Sequence, residues 1–188
     1  MTSLVSRLLR ERPFASNAAL SGAVIVLGDL AAQTIERGHR KEYDRKRLAS
    51  MAVWGAVTAP PVVVWFRWLD RLFPPAAVSP RAILTKVLFH QLTLAPTMNA
   101  LFFGYVAAVD RVPAPPARVL EKTLPVWRRK VQDDLLPVTA RSLVWWLPVH
   151  VVNFLWVPPH ARAVYTSCNL VVWTTYLSIV GHRKGINE

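Results

Sequence analysis

Five stretches of this chain are too apolar and too long to suit a small water-soluble domain. They run over residues 17–35, 48–69, 82–109, 138–158 and 163–181. A helix crossing a bilayer needs about 20 mostly apolar residues. The first, second, third and fifth stretches reach that length or come near it. The fourth, VTARSLVWWLPVHVVNFLWVP, is rich in Trp and Pro and carries Arg141, His150 and Asn153. It spans, lies at the interface, or pairs with the fifth as a hairpin. Strands are the competing reading of the Val-rich runs. Pro60, Pro61, Pro96 and Pro148 oppose it, because proline donates nothing to a sheet ladder. The runs also lack the two-residue alternation of a membrane barrel. The expected class is therefore all-α: a polytopic integral membrane protein, one membrane-embedded domain over residues 1–188. Its bundle has about four transmembrane helices, with five as the alternative.

Composition supports the bilayer reading. Apolar residues make up 53% of the chain and charged residues 18%, yet the net charge is +12. A soluble nucleic-acid binder carries such charge on an abundant polar surface, which is scarce here, so nucleic acid is not an expected partner. The basic residues instead cluster between the apolar stretches, as in membrane proteins with short cationic loops. Residues 36–47 (ERGHRKEYDRKR) hold six Lys/Arg, 67–81 hold three, and the Pro-rich connector 111–130 holds six. If all five stretches span, one side collects fourteen basic residues and the other seven. The positive-inside rule then puts the first and third connectors on the cytoplasm-like or matrix-like side. Four spans leave those two connectors together and move only the C-terminus.

The start, MTSLVSRLLRERPFAS, reads as a short amphipathic N-terminal helix with Arg7, Arg10 and Arg12 beside Leu4, Leu8 and Leu9. It suits an organelle-targeting segment or a retained helix lying on anionic lipid. Glu11 and Pro13 weaken the cleaved-presequence version. The single cysteine, Cys168, excludes an intramolecular disulfide and reads as a small apolar-run side chain.

Polar residues at bilayer depth carry the functional argument, because they are costly there and face a bundle interior or a wet path. Asp29 and Gln33 sit four apart and share a helix face. Gly22 and Gly28 thin the same helix for close approach of a neighbour. Lys86 and His90 are likewise four apart, with Gln91 adjacent and Pro96 and Asn99 beyond. His150 and Asn153 share a face in the fourth stretch, and Arg162 follows the Pro158-Pro159 break. A pairing of Asp29 with Lys86, with His90 nearby, is one expectation; snorkelling of both to water is the other. The candidate pore-lining or intramembrane polar network is thus Asp29, Gln33, Lys86, His90, Gln91, Asn99, His150, Asn153 and Arg162. No HExxH, GxSxG, Walker A or GxGxxG pattern occurs, and no Cys pair completes a zinc site. The expectation is a non-enzyme with no metal and no cofactor.

Several segments together look like one family. WLPVHVVNFLWVPPHAR followed by NLVVWTTYLS places Trp146, Pro148, Asn153, Phe154, Val157, Pro158, Arg162, Trp173, Tyr176, Leu177 and Ser178 in a familiar order. Upstream, Pro13 and GDLAAQ (Gly28, Asp29, Gln33), YDRKR with Gly55 and Pro61, and Lys86, Gln91 and Pro96 extend it over essentially the whole chain. The chain resembles the twenty-two-kilodalton peroxisomal membrane protein family, which includes the Mpv- and Sym-type proteins of the mitochondrial inner membrane. His90 departs from the family's usual Asp, His150 from its usual Gln, and Thr174 from a frequent Asn. The resemblance implies a small organelle-membrane protein, some of whose relatives form weakly selective pores for small solutes. The functional expectation is a channel or pore-like protein passing small, often anionic metabolites, with a homo-oligomer allowed. A non-transporting protein that organises the membrane is the alternative. The mitochondrial inner membrane is favoured over the peroxisomal membrane by the Arg-bearing N-terminus.

Overall fold

The structure is a computed structural model that describes residues 13–36, 42–73, 80–109, 111, 115–157 and 162–183. The amphipathic helix expected over the first twelve residues lies outside them. The described residues form five α-helices and no strand: α1 (Pro13–Glu36), α2 (Arg45–Leu72), α3 (Pro80–Val109), α4 (Pro116–Leu155) and α5 (Arg162–His182). The all-α reading holds, and the apolar runs account for it. Four helices have the length and hydropathy to cross a membrane, over Asn17–Glu36, Arg45–Leu72, Arg81–Val109 and Arg118–Asn153. The protein is an integral membrane protein.

The helix starts follow local chemistry. Asp44 caps α2: its side chain accepts a bond of 2.9 Å from the Arg47 backbone N–H, one of the four donors that a helix start leaves open. Pro116 sits in the first turn of α4, where the missing N–H costs nothing.

One expectation needs correction. Much of the Pro-rich stretch 111–130, read above as a connector, is the first part of α4, and the fourth apolar stretch is that helix's second part. The helix is 40 residues, about 60 Å long, roughly twice the hydrocarbon thickness. Its halves differ in character. Residues 118–134 carry Arg118, Glu121, Lys122, Arg128, Arg129, Lys130, Asp133 and Asp134, whereas residues 135–155 carry only Arg141 and His150 as titratable side chains. Only the second half suits hydrocarbon. Pro125, Pro137 and Pro148 fall inside the helix without ending it. Proline removes one hydrogen bond, but strong helix formers such as Leu, Glu, Lys and Arg surround Pro125.

The described chain divides into two compact units. The first contains α1, α2 and Leu170–Ser178 of α5; the second contains α3, α4 and the rest of α5.

In the first unit α1 packs antiparallel on α2. Glycine sets the separation. A Cβ added to Gly55 would stand 2.8 Å from both the Gly22 Cα and the Ser21 carbonyl oxygen. The backbones therefore touch, which is the small-residue packing that membrane helices use.

In the second unit α3 packs antiparallel on α4. Trp127 donates to the Ala100 carbonyl at 2.7 Å and covers Gly104. The core there includes the fully buried Phe102 and Phe103. The Lys130 ammonium donates to the Val180 and Arg183 carbonyls, each at 3.0 Å, so a cation caps the C-terminal end of α5.

Candidate functional site

Two sets of buried polar side chains stand out, one in each unit, and they differ in how well they are satisfied.

In the first unit the set centres on Asp29, whose side chain is wholly buried. Arg47 Nε donates to Asp29 Oδ1 at 2.7 Å. The Ser178 hydroxyl donates to the same oxygen at 2.5 Å. Gln33 Nε2 donates to Oδ2 at 2.8 Å. The Arg47 guanidinium is shared further, to Glu36 at 2.7 Å and to Ser178 Oγ at 3.1 Å. Gln33 Oε1 accepts from the Asp44 backbone N–H at 2.7 Å. Every atom of the carboxylate is thus engaged within the unit.

This arrangement corrects the expected Asp29–Lys86 pair. The counter-ion is Arg47, and the reason is local. The cap at Asp44 starts α2 so that Arg47 falls in its first turn, beside the last two turns of α1. A buried ion pair is tolerated only when its remaining hydrogen-bonding capacity is filled. Here Ser178 and Gln33 fill it. The set behaves as a pin joining α1, α2 and the end of α5. Both carboxylate oxygens and the guanidinium are engaged by partners within it.

In the second unit the buried polar residues are carried by α3 and α4, which meet at a Gln91–Ser142 bond. Near one end, Asn99 is 4% exposed, and its Nδ2 has no hydrogen-bond partner. Further along, the Ser142 hydroxyl donates to Gln91 Oε1 at 3.0 Å, both side chains being buried. Next come His90 on α3 and His150 on α4, both half-buried. The His150 ring stacks on buried Trp146 with centroids 5.5 Å apart. At the far end Asn153, 6% exposed, donates through Nδ2 to Thr166 Oγ1 at 3.3 Å and leaves Oδ1 unpaired. Thr139 Oγ1 and Trp145 Nε1 on α4 are also buried and unpaired. Unlike the pin, this seam carries unfilled donors and acceptors.

The other expected residues fall around these two sets. Lys86 lies one turn before His90 and is half-buried and engaged. Gly28 permits close approach, since a Cβ there would overlap Thr174 Oγ1. Trp173 and Tyr176 pack ring to ring at 5.2 Å. Pro148 is an exposed residue inside α4. Phe154 and Arg162 lie in α4 and α5, but their side chains fall outside the described set, as does Pro158 altogether.

The sequence pattern of the Mpv17 / PMP22 family matches residues 119–178, which cover most of α4 and α5 down to Ser178. Similarity to individual proteins is longer. The human protein "Mitochondrial inner membrane protein Mpv17" is 30% identical over 179 residues, covering 94% of this chain and 95% of that one. The chain belongs to the Mpv17 / PMP22 family. Two proteins of Dictyostelium discoideum agree: "PXMP2/4 family protein 4", 30% identical over 90% of this chain and 87% of its own, and "PXMP2/4 family protein 3", 26% identical over 98% and 92%. No solved structure matches. Within this Mpv17 / PMP22 chain, sequence reasoning missed Arg47 and Ser142. Arg47 stood among six connector cations, and the capping signal at Asp44 was the one clue to its special place. Ser142 carried no pattern that marked it as the partner of Gln91.

Proposed function

We propose that the protein passes small solutes across an organelle membrane along the α3–α4 seam. The observation that supports this is that, of the unpaired buried polar atoms, four lie in the apolar parts of α3 and α4: Asn99 Nδ2, Thr139 Oγ1, Trp145 Nε1 and Asn153 Oδ1. In hydrocarbon each such group costs several kcal/mol. Water or a polar solute in the seam removes that cost. Basic connectors would enrich anionic metabolites at the mouth, and a second copy of the chain would complete the wall. The N-terminal arginines and the name of the human relative favour the mitochondrial inner membrane, with the peroxisomal membrane as the alternative. The role is read as passage rather than catalysis.

Release of graded small solutes from proteoliposomes tests the proposal. Wild-type protein should release them. The N99L/N153L variant should release several-fold less while eluting as a monodisperse species. Lys86→Met should change ion preference if Lys86 faces the path. Wild-type vesicles that stay tight across several pH values and voltages sink the proposal.

A second reading, a protein that only organises the membrane, is favoured by the fully satisfied pin in the first unit. It expects Asp29→Asn to lower abundance with no conductance to lose.

A further inference from the structure

The charged half of α4 holds a feature that solute passage does not use. A groove of about 440 Å³ lies along it, lined by Leu124, Pro125, Arg128, Arg129, Gln132 and Asp133. Arg128 and Arg129 are exposed, and among the described residues neither makes an ion pair or a side-chain hydrogen bond. Their neighbour Lys130 differs, being held by the carbonyls at the end of α5. Asp133 follows Arg129 by one turn, but no ion pair forms between them. Two free guanidiniums therefore share one shallow site with an exposed leucine, Leu124.

The helix continues this face in a telling way. Residues at spacings of three and four from Arg129 are Leu136, Ala140, Leu143 and Leu147. Leu136 is 77% exposed, Ala140 is exposed, and Leu143 and Leu147 are half-buried. Toward the N-terminus the same spacing reaches Lys122 and Arg118, both exposed. One stripe of α4 thus runs from cations to bare apolar side chains. Arg129 stands about 10 Å along the helix axis from Leu136, at 1.5 Å per residue. A headgroup layer is about 5–8 Å thick, so that rise carries the helix from headgroups into hydrocarbon.

We infer that this stripe binds an anionic phospholipid, with its phosphate between Arg128 and Arg129 and an acyl chain along Leu136, Leu143 and Leu147. The charge calls for an anion. Guanidinium suits phosphate because its fork offers parallel N–H donors. The apolar continuation calls for a chain attached to that anion, so a lipid fits and a free phosphate leaves the leucines unused. Asp133 at the rim opposes a second negative charge close to it and turns the phosphate toward the arginine side. The site lies within one helix and is independent of the proposed solute path.

The test uses full-length protein in detergent micelles and in nanodiscs, with native mass spectrometry and tryptophan quenching by brominated lipids as readouts. The lipids are phosphatidylglycerol and phosphatidylcholine. Wild-type protein should prefer phosphatidylglycerol. R128Q/R129Q should lose about thirty-fold of that preference, from two cations at the membrane surface. R128K/R129K should keep most of the charge effect and lose part of the affinity. R45Q/K46Q, which removes two exposed cations at the start of α2, should change little. Because Arg128 and Arg129 are exposed, their glutamine variant should keep the wild-type melting temperature, so a loss reports binding. Equal binding of both lipids by wild-type protein overturns the inference, as does an equal loss in the α2 control. Competition by millimolar glycerol phosphate as effective as by the lipid shows a free-phosphate site and overturns the lipid.

Discussion

Asp29 shows how a single charge is accommodated inside this protein. Its carboxylate is removed from water, yet three side chains donate to it and Arg47 matches its charge. Deleting one partner leaves the other buried and uncompensated. Arg47→Met should therefore destabilise the protein by about 3–5 kcal/mol, and Asp29→Asn by a similar amount. The double variant should lose clearly less than the sum of the two, because no lone charge is left. Unfolding in detergent, read as a double-mutant cycle, measures this. Strictly additive losses would mean the pair is not coupled. By contrast Ser142→Ala removes one neutral interhelical bond to Gln91 and should cost about 0.6–2 kcal/mol. At this scale the sequence was only partly legible. Asp29, Gln33, Gln91 and Asn153 were recognisable as costly polar residues in apolar runs. The partners Arg47 and Ser142 were not, because a serine or one arginine among six carries no signal until two helices are placed side by side.

Helices were far more legible than partners. Each apolar run became a helix, extended by one to a few residues at most ends, because length and hydropathy alone dictate that outcome in a bilayer. The exception is α4. The Pro-rich stretch 111–130 read as a connector, but helix-forming neighbours carried the chain through Pro125. Composition distinguishes the helix's solvated and apolar halves but does not reveal that they are continuous. Helix packing offers a graded prediction through glycine. A Cβ on Gly22 would stand 3.1 Å from the Ala52 carbonyl oxygen, a tight but adjustable contact. A Cβ on Gly55 would stand 2.8 Å from backbone atoms, which cannot step aside. A Cβ on Gly28 would overlap the Thr174 side chain. Alanine at position 55 or 28 should lower the melting temperature well below that of Gly22→Ala, with a cost of about 1–3 kcal/mol for the overpacked sites. An equal response at all three positions would mean that α1 can shift away from its neighbours freely.

For the molecule as a whole, the question is which polar surface meets water in the bilayer. The chain is well suited to answer it, because Cys168 is its only thiol and can be removed. Cys168 is exposed on α5, which is not one of the four candidate spans, whereas exposed residues in the apolar half of α4 face hydrocarbon. In a Cys168→Ser background, cysteine placed at Asn99 or Asn153 should react with a charged methanethiosulfonate reagent at least ten-fold faster than cysteine placed at Val144, which is 77% exposed and faces lipid on the same reasoning. Modification at position 99 or 153 should also block solute release, and modification at 144 should not. The comparison separates a wet seam from a merely imperfect one. A thiolate forms only where water reaches it, whereas a packed polar residue with an empty valence stays inaccessible. Fast reaction at 144 with slow reaction at 99 and 153 would place the water on the opposite face of α4 and remove the seam from any path.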